Sequence, residues 1–291
     1  MEWLTLPWQF PFMRDAALIG TIIAVPAALL SCFLVLRGWS LMGDAVSHAV
    51  LPGVVLAYML GAPLLAGAFV AGMVCSLLSG FLQENSRVKQ DTILGVVMSG
   101  MFGLGIVLYT QAQTSLHLDH ILFGNMLGVG AGDIRLSGWI AVVVVAGLLL
   151  KWRDLALISF DPVQARVAGL PVRVTHYALL AALSLTIVSM MSAVGIILSV
   201  SLLIAPGAIA FLVTRSLGRM LAVSVLVALA GTQGGVLASF WLDSAPAATI
   251  VLLLTAIFVA AFVARNLAVR RRDRRAAPPP DPSQDQAESR T

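Results

Sequence analysis

The stretch Gly43-Asp44-Ala45-Val46-Ser47-His48-Ala49-Val50-Leu51-Pro52-Gly53 decides how this chain is read, because it sets a carboxylate and an imidazole inside an apolar run long enough to span a bilayer. An Asp at the centre of a membrane helix costs roughly 2.5–3.5 kcal/mol on insertion scales, so such residues are retained for a reason. On a helix, positions i and i+4 share a face, so Asp44 and His48 present an oxygen and a nitrogen to one point. With the span starting near Trp39, Asp44 lies about 7 Å along it and His48 about 13 Å, near the midplane of a core about 30 Å thick. Pro52 lacks an amide proton and its ring clashes one turn back, so the His48 carbonyl loses its partner and the helix is expected to break there. Gly43 and Gly53 permit close approach of neighbouring helices.

The rest of the chain agrees with a membrane setting. Of its 291 residues, 59% are apolar and only 11% charged, and mean hydropathy is +0.95. A soluble domain carries about 25% charged residues. Apolar runs occur at about 17–36, 41–60, 64–82, 92–110, 136–150, 174–193, 195–214, 220–241 and 246–264. The fold class expected is therefore an all-α polytopic membrane protein with eight to ten spans, nine favoured. The shortest run is 136–150. Residues 192–195 separate the sixth and seventh runs either as a tight turn or as a kink in one broken helix. The first run is preceded by Glu2, Arg14 and Asp15 and followed by no small-residue cleavage pattern, so it reads as a span.

Alternating nine spans places sixteen of the 18 Lys and Arg residues on one side, leaving only Arg14 and Arg135 on the other. Such a bias marks the cytoplasmic side. The N-terminus is then outside and the C-terminus inside. Residues 1–268 form one membrane domain. Residues 269–291 are a basic cluster followed by a Pro-rich polar tail, expected to be a disordered cytoplasmic segment. The cluster is read as a topology anchor that touches anionic lipid headgroups, not as a nucleic-acid surface. Cys32 and Cys75 lie in apolar runs with no metal or disulfide spacing.

The Asp44/His48 pair has two readings: a hydrogen bond that only fixes helix packing, or a cation site on a permeation path. One carboxylate oxygen and one imidazole nitrogen suit divalent first-row metals, whereas Mg²⁺ or Ca²⁺ would call for more oxygen. Ser47, beside the pair, is a candidate to hold a water. His117, Asp119 and His120 form a second N/O cluster on the outer side, a candidate entrance for cations or a docking surface, set against a solvated loop with chance histidines. On the cytoplasmic side, residues 159–171 carry a capped-helix pattern. Asp161 can cap, Pro162 fits the first helical position, Gly169 ends the helix and Pro171 bars its continuation. A short helix there is something a partner protein can grip, or an ordinary connector. Neither of the two lysines, Lys89 and Lys151, sits in a G-x-x-x-x-G-K-[ST] loop, so no P-loop nucleotide site exists and any primary energy source acts from another chain.

With these residues in hand, the chain resembles the membrane permease subunits of manganese/zinc/iron ABC importers over about residues 13–268. The Gly43–Gly53 stretch is similar to that family's G-D-A-x-S-H-A-x-x-P-G hallmark without a break. Leu122-Phe123-Gly124-Asn125, Phe160-Asp161-Pro162 with Ala165 and Gly169, and Leu203-Ile204-Ala205-Pro206 with Gly207 and Ala208 are further matches. Glu84-Asn85-Ser86-Arg87-Val88-Lys89 and residues 117–125 look most like the manganese/iron branch. The resemblance implies a pair of permeases, identical or paralogous, on two cytosolic ATPases, fed by an extracytoplasmic metal-binding protein in a bacterial inner membrane. It implies Asp44 and His48 as the metal-contacting pair on the path, with Ser47 and Pro52 beside it. It implies Phe160, Asp161, Pro162, Ala165 and Gly169 as the element coupled to the ATPase. No permanently bound cofactor is expected; Mn²⁺, Fe²⁺ or Zn²⁺ is the cargo. Two other transport readings remain: an ABC permease for metal chelates such as siderophores or cobalamin, which would favour an apolar or aromatic cavity, and a stand-alone secondary metal transporter. A structural or sensory membrane protein fits the buried ionisable pair poorly.

Overall fold

The structure, a computed structural model, describes residues 6–112 and 126–276, and these are almost wholly helical. Helix α1 is Pro11–Leu36, α2 Met42–Ala49, α3 Leu51–Met59, α4 Leu64–Asn85 and α5 Gln90–Ala112. Then come α6 Ala131–Phe160, α7 Pro162–Val167, α8 Val172–Val213, α9 Leu217–Leu242 and α10 Pro246–Ala276. Among the described residues eight helices are long and apolar enough to cross a membrane, counting α2 and α3 together as one span.

The core is built on α1 and α8. The largest fully buried side chains include Ile19, Ile23, Leu30, Phe33 and Leu34 of α1 and Leu180, Leu183, Ile187, Leu198 and Leu202 of α8. Large apolar side chains elsewhere, such as Trp139, Leu150, Leu252 and Val96, point outward, as they do where the surroundings are acyl chains. Lipid tails offer little hydrophobic drive for helix association, so close packing and polar contacts hold the bundle. The α3–α4 crossing shows the first device. A Cβ placed on Gly53 would sit 2.1 Å from the Gly67 carbonyl oxygen, so the two backbones touch as only glycines allow. The second device appears at Ser31, whose hydroxyl accepts from the Gly207 amide (2.9 Å) and donates to the Ile204 carbonyl (3.1 Å).

Helix α8 spans 42 residues but is not straight. Gly195 has φ 80° and ψ 177°, a conformation essentially reserved for glycine. In a straight helix, residues 176 and 203 would lie about 40 Å apart. Instead the His176 ring is 5.2 Å from that of Trp39, while Leu203 packs against Gly43, four residues further on. The chain therefore doubles back at Gly195, and 172–194 and 196–213 are two antiparallel arms, as the nine-run reading expects. The reversal is buried: Val188, Met191 and Ile196 pack with Val50, Val54 and Ala68. Two serines serve carbonyls at the break, Ser192 donating to Ser189 (3.0 Å) and Ser199 to Gly195 (2.6 Å).

The run at 136–150 proves to be the middle of a 30-residue helix, α6. At about 45 Å it overshoots a 30 Å core, so Lys151 and Asp154 ride on its projecting end and pair at 3.2 Å without ending it. Helix α9 packs antiparallel against both α1 and α10. Ser224 of α9 bonds Ala28 and Gln233 bonds Ala17 of α1, while Gly231 and Gly235 meet Leu254 and Ile250 of α10. This alternation gathers Arg37, Arg87, Lys89, Lys151, Arg153, Arg166, Arg173, Arg215, Arg219 and Arg265 towards one end of the bundle, hereafter the basic end. Helix α10 runs on through the basic cluster to Ala276. Cys32 and Cys75 are fully buried free thiols.

Candidate functional site

Asp44 and His48 lie on α2, one turn apart. His48 Nδ1 is 3.3 Å from Asp44 Oδ1 and 3.1 Å from the Asp44 carbonyl oxygen. Both neighbours of Nδ1 are acceptors, so the proton of a neutral ring belongs on Nδ1 and the lone pair on Nε2. This is the arrangement in which a carboxylate orients an imidazole for metal ligation. Nε2 and the second Asp44 oxygen are left to meet an ion. The Phe102 ring of α5 stands edge-on to the imidazole at 5.8 Å.

The two side chains are 36% and 32% exposed, although Ala45, Val46, Ser47 and Ala49 around them are buried. The pair therefore opens away from this chain's own core, at a depth where bare contact with acyl chains would be costly. Among the described residues no group of three His, Cys, Asp or Glu side chains converges as a metal cage. The described residues thus bring two donors together here, fewer than the four of a complete tetrahedral metal site.

Ser47 does not share this opening. It is 2% exposed and its hydroxyl donates to the Gly43 carbonyl at 2.7 Å, so the water-holding role anticipated for it does not fit. The cause is its spacing: it sits one residue from His48 and turns into the core, where the carbonyl four residues back is the nearest acceptor. Pro52 does what its chemistry requires. The helix divides at Val50, with Pro52 in the first turn of α3 and the Val50 carbonyl accepting from Gly53 and Val54. Gly43 lets Leu203 of the second α8 arm lie directly against α2.

At the basic end, α7 forms as its sequence grammar demands. Asp161 Oδ1 accepts from the amides of Val163 (3.0 Å) and Gln164 (2.9 Å), and Pro162 occupies the first turn. Beyond the helix, Gly169 takes φ +77° and the Leu170 amide reaches back to the Ala165 carbonyl at 3.0 Å, the closing pattern of a glycine-terminated helix. Ala165 is fully buried, whereas Phe160, Val163 and Val167 are 67%, 68% and 85% exposed. A short helix thus holds an apolar stripe outward at the charged end of the molecule.

His117, Asp119, His120 and the Leu122–Asn125 match lie outside the described residues. The structure adds a cluster that sequence reasoning treated only as a topology signal. Arg37, directly after α1, donates from Nε to the Ser159 hydroxyl (3.0 Å) and lies over the Trp39 ring at 5.0 Å. Trp39 in turn meets His176 edge-on. Only the Arg-x-Trp spacing hinted at this, since Ser159 is more than a hundred residues away.

The sequence and fold match known transport proteins. The model of the family described as ABC 3 transport family matches residues 9–265. A relative named chelated iron transport system membrane protein YfeD, from Yersinia pestis, is 49% identical over 94% of this chain and 91% of its own length. The manganese transport system membrane protein MntB from a Synechocystis strain is 40% identical over 90% and 86%. Among solved structures, PsaBC from Streptococcus pneumoniae in complex with Fab superposes with a TM-score of 0.80 at 35% identity, covering 90% of this chain and 94% of that one. On its sequence, its helical architecture and these likenesses, the chain belongs to the ABC 3 transport family.

Proposed function

We propose that this chain is the membrane permease subunit of an ATP-driven importer of divalent transition-metal ions, manganese and iron foremost, with zinc compatible with the same donors. The observation that carries the reading is the Asp44/His48 pair: an oriented imidazole and a carboxylate held open within a membrane span. The iron and manganese names of the relatives support the metal class. The basic end is the cytoplasmic face of a bacterial inner membrane, and the Arg14 end faces outward.

In this mechanism an extracytoplasmic metal-binding protein docks over the outer loops, near residues 110–135 and 242–246, and releases its ion into a cavity between two permeases. One Asp44/His48 pair from each permease lines that cavity. Together they replace part of the ion's hydration shell, loosely enough for it to leave again. Val163, Val167 and Phe160 seat α7 in the partner ATPase, and ATP binding there displaces α7 and rocks the spans. Hydrolysis belongs to the partner, since this chain has no P-loop. The second permease is a copy of this chain or a paralogue.

Reconstitution tests this directly. Proteoliposomes holding the permease, its ATPase and the binding protein should accumulate ⁵⁴Mn²⁺ with ATP and without any chelator. The chain alone under a pH gradient should not. Uptake that required an organic chelate, or that ran without the ATPase, would overturn the reading.

A further inference from the structure

We propose that Arg37 is a positioning residue that links the α7 element to the helix bearing Asp44 and His48. The inference rests on the reading of α7 as the ATPase seat. Its basis is a continuous chain of contacts. The Ser159 hydroxyl donates to the Leu155 carbonyl (2.6 Å) and accepts from Arg37 Nε (3.0 Å), at the last turn of α6, one residue before Phe160 and two before the Asp161 cap. The guanidinium lies over Trp39. The Trp39 carbonyl accepts the Met42 amide (3.0 Å), which opens α2, and Asp44 stands in the first turn of that helix. Displacement of α6–α7 therefore has a short physical route to the ion-facing helix.

A simple structural anchor would be expected to satisfy its own donors. Arg37 does not: its Nη2 is buried and meets no hydrogen-bond partner among the described residues. Burial also lowers the guanidinium to about 10, and no carboxylate among the described residues pairs with it. A cation held this way is under-satisfied in the present arrangement, and a shift of the α6 end or of Trp39 can give that nitrogen a partner. The group is thus suited to having two positions, which a relay requires. Trp39 and His176 extend the contact to the start of α8.

The test uses the whole importer in lipid nanodiscs. Arg37→Gln and Arg37→Lys are compared with wild type for assembly, basal ATP hydrolysis and the stimulation of hydrolysis by metal-loaded binding protein. The expected result for Arg37→Gln is normal assembly, unchanged basal hydrolysis and a stimulation lower by about two- to thirtyfold, the range of coupling along such networks. Arg37→Lys, which keeps the charge but not the planar fork, should recover only part. Undiminished stimulation in Arg37→Gln would overturn the proposal, and so would a permease that no longer inserts or assembles, since that marks a structural anchor. Val163→Asp is the separate control. If it still binds the ATPase, the α7 reading fails, whatever Arg37 does.

Discussion

The Asp44/His48 face of α2 and the exposed face of α7 are opposites. On α2, Asp44 and His48 are polar groups held open where the surroundings are apolar. At α7, Val163 and Val167, with Phe160 just before the helix, are apolar groups held open at the charged end of the molecule. Each violates the pattern of its own neighbourhood, and each is backed by a fully ordinary inner face: Ala45, Val46 and Ala49 behind the first, Ala165 behind the second. On the proposed function, both are halves of sites completed from another chain: the polar half by an ion and a second permease, the apolar half by a soluble partner.

The comparison can be broken at either end. The largest effect is expected from Asp44→Ala, which removes the carboxylate that orients His48. Metal uptake at limiting metal should fall by at least about tenfold while membrane insertion stays normal, since even outer ligand supports carry 10–100-fold effects. Wild-type uptake would return the pair to a packing role. Next is Val163→Asp, which sets a charge in the apolar stripe. Co-purification of the ATPase should weaken by about thirtyfold, the scale of a central interface residue, with metal binding by the permease unaffected. A third change sharpens the α7 side. At Gly169 a Cβ meets nothing within 4 Å but must adopt φ +77°. Gly169→Ala should therefore destabilise the end of α7 by about 1 kcal/mol through strain alone, seen as a modest drop in stimulated ATP hydrolysis and not as loss of assembly. The smallest effect belongs to Ser47→Ala. Among the described residues its hydroxyl bonds to Gly43 four residues back, so uptake should stay within about twofold and stability within about 1 kcal/mol. A large loss there would show that the open face of α2 extends further round the helix.

Local chemistry made much of this legible in the sequence. Pro52 had to divide its helix, and Asp161, Pro162 and Gly169 had to bound theirs, because each acts on backbone groups no more than a turn or so away. Asp44 and His48 had to share a face for the same reason. What escaped depended on partners far along the chain or on helices leaving the bilayer. Hydropathy ended the fifth span at residue 150 although the helix continues to Phe160, because a window that seeks apolar residues stops at Lys151 while backbone bonding does not. Whether residues 192–195 turned or kinked was undecidable until contacts placed His176 near Trp39 and Leu203 on Gly43. The bond from Arg37 to Ser159 crosses 122 positions and has no local signature. Ser47 is next to His48 in sequence but not on its helix face, so its hydroxyl turns to the Gly43 carbonyl.

The most direct test of a shared ion site is uptake by an importer in which Asp44→Ala is carried by one permease of the pair only, the partner permease being wild type. Two half-sites acting as one predict uptake below about a tenth of wild type, because a single lost ligand disables the common site. Uptake near half of wild type would mean that each permease carries its own ion, and would contradict the account.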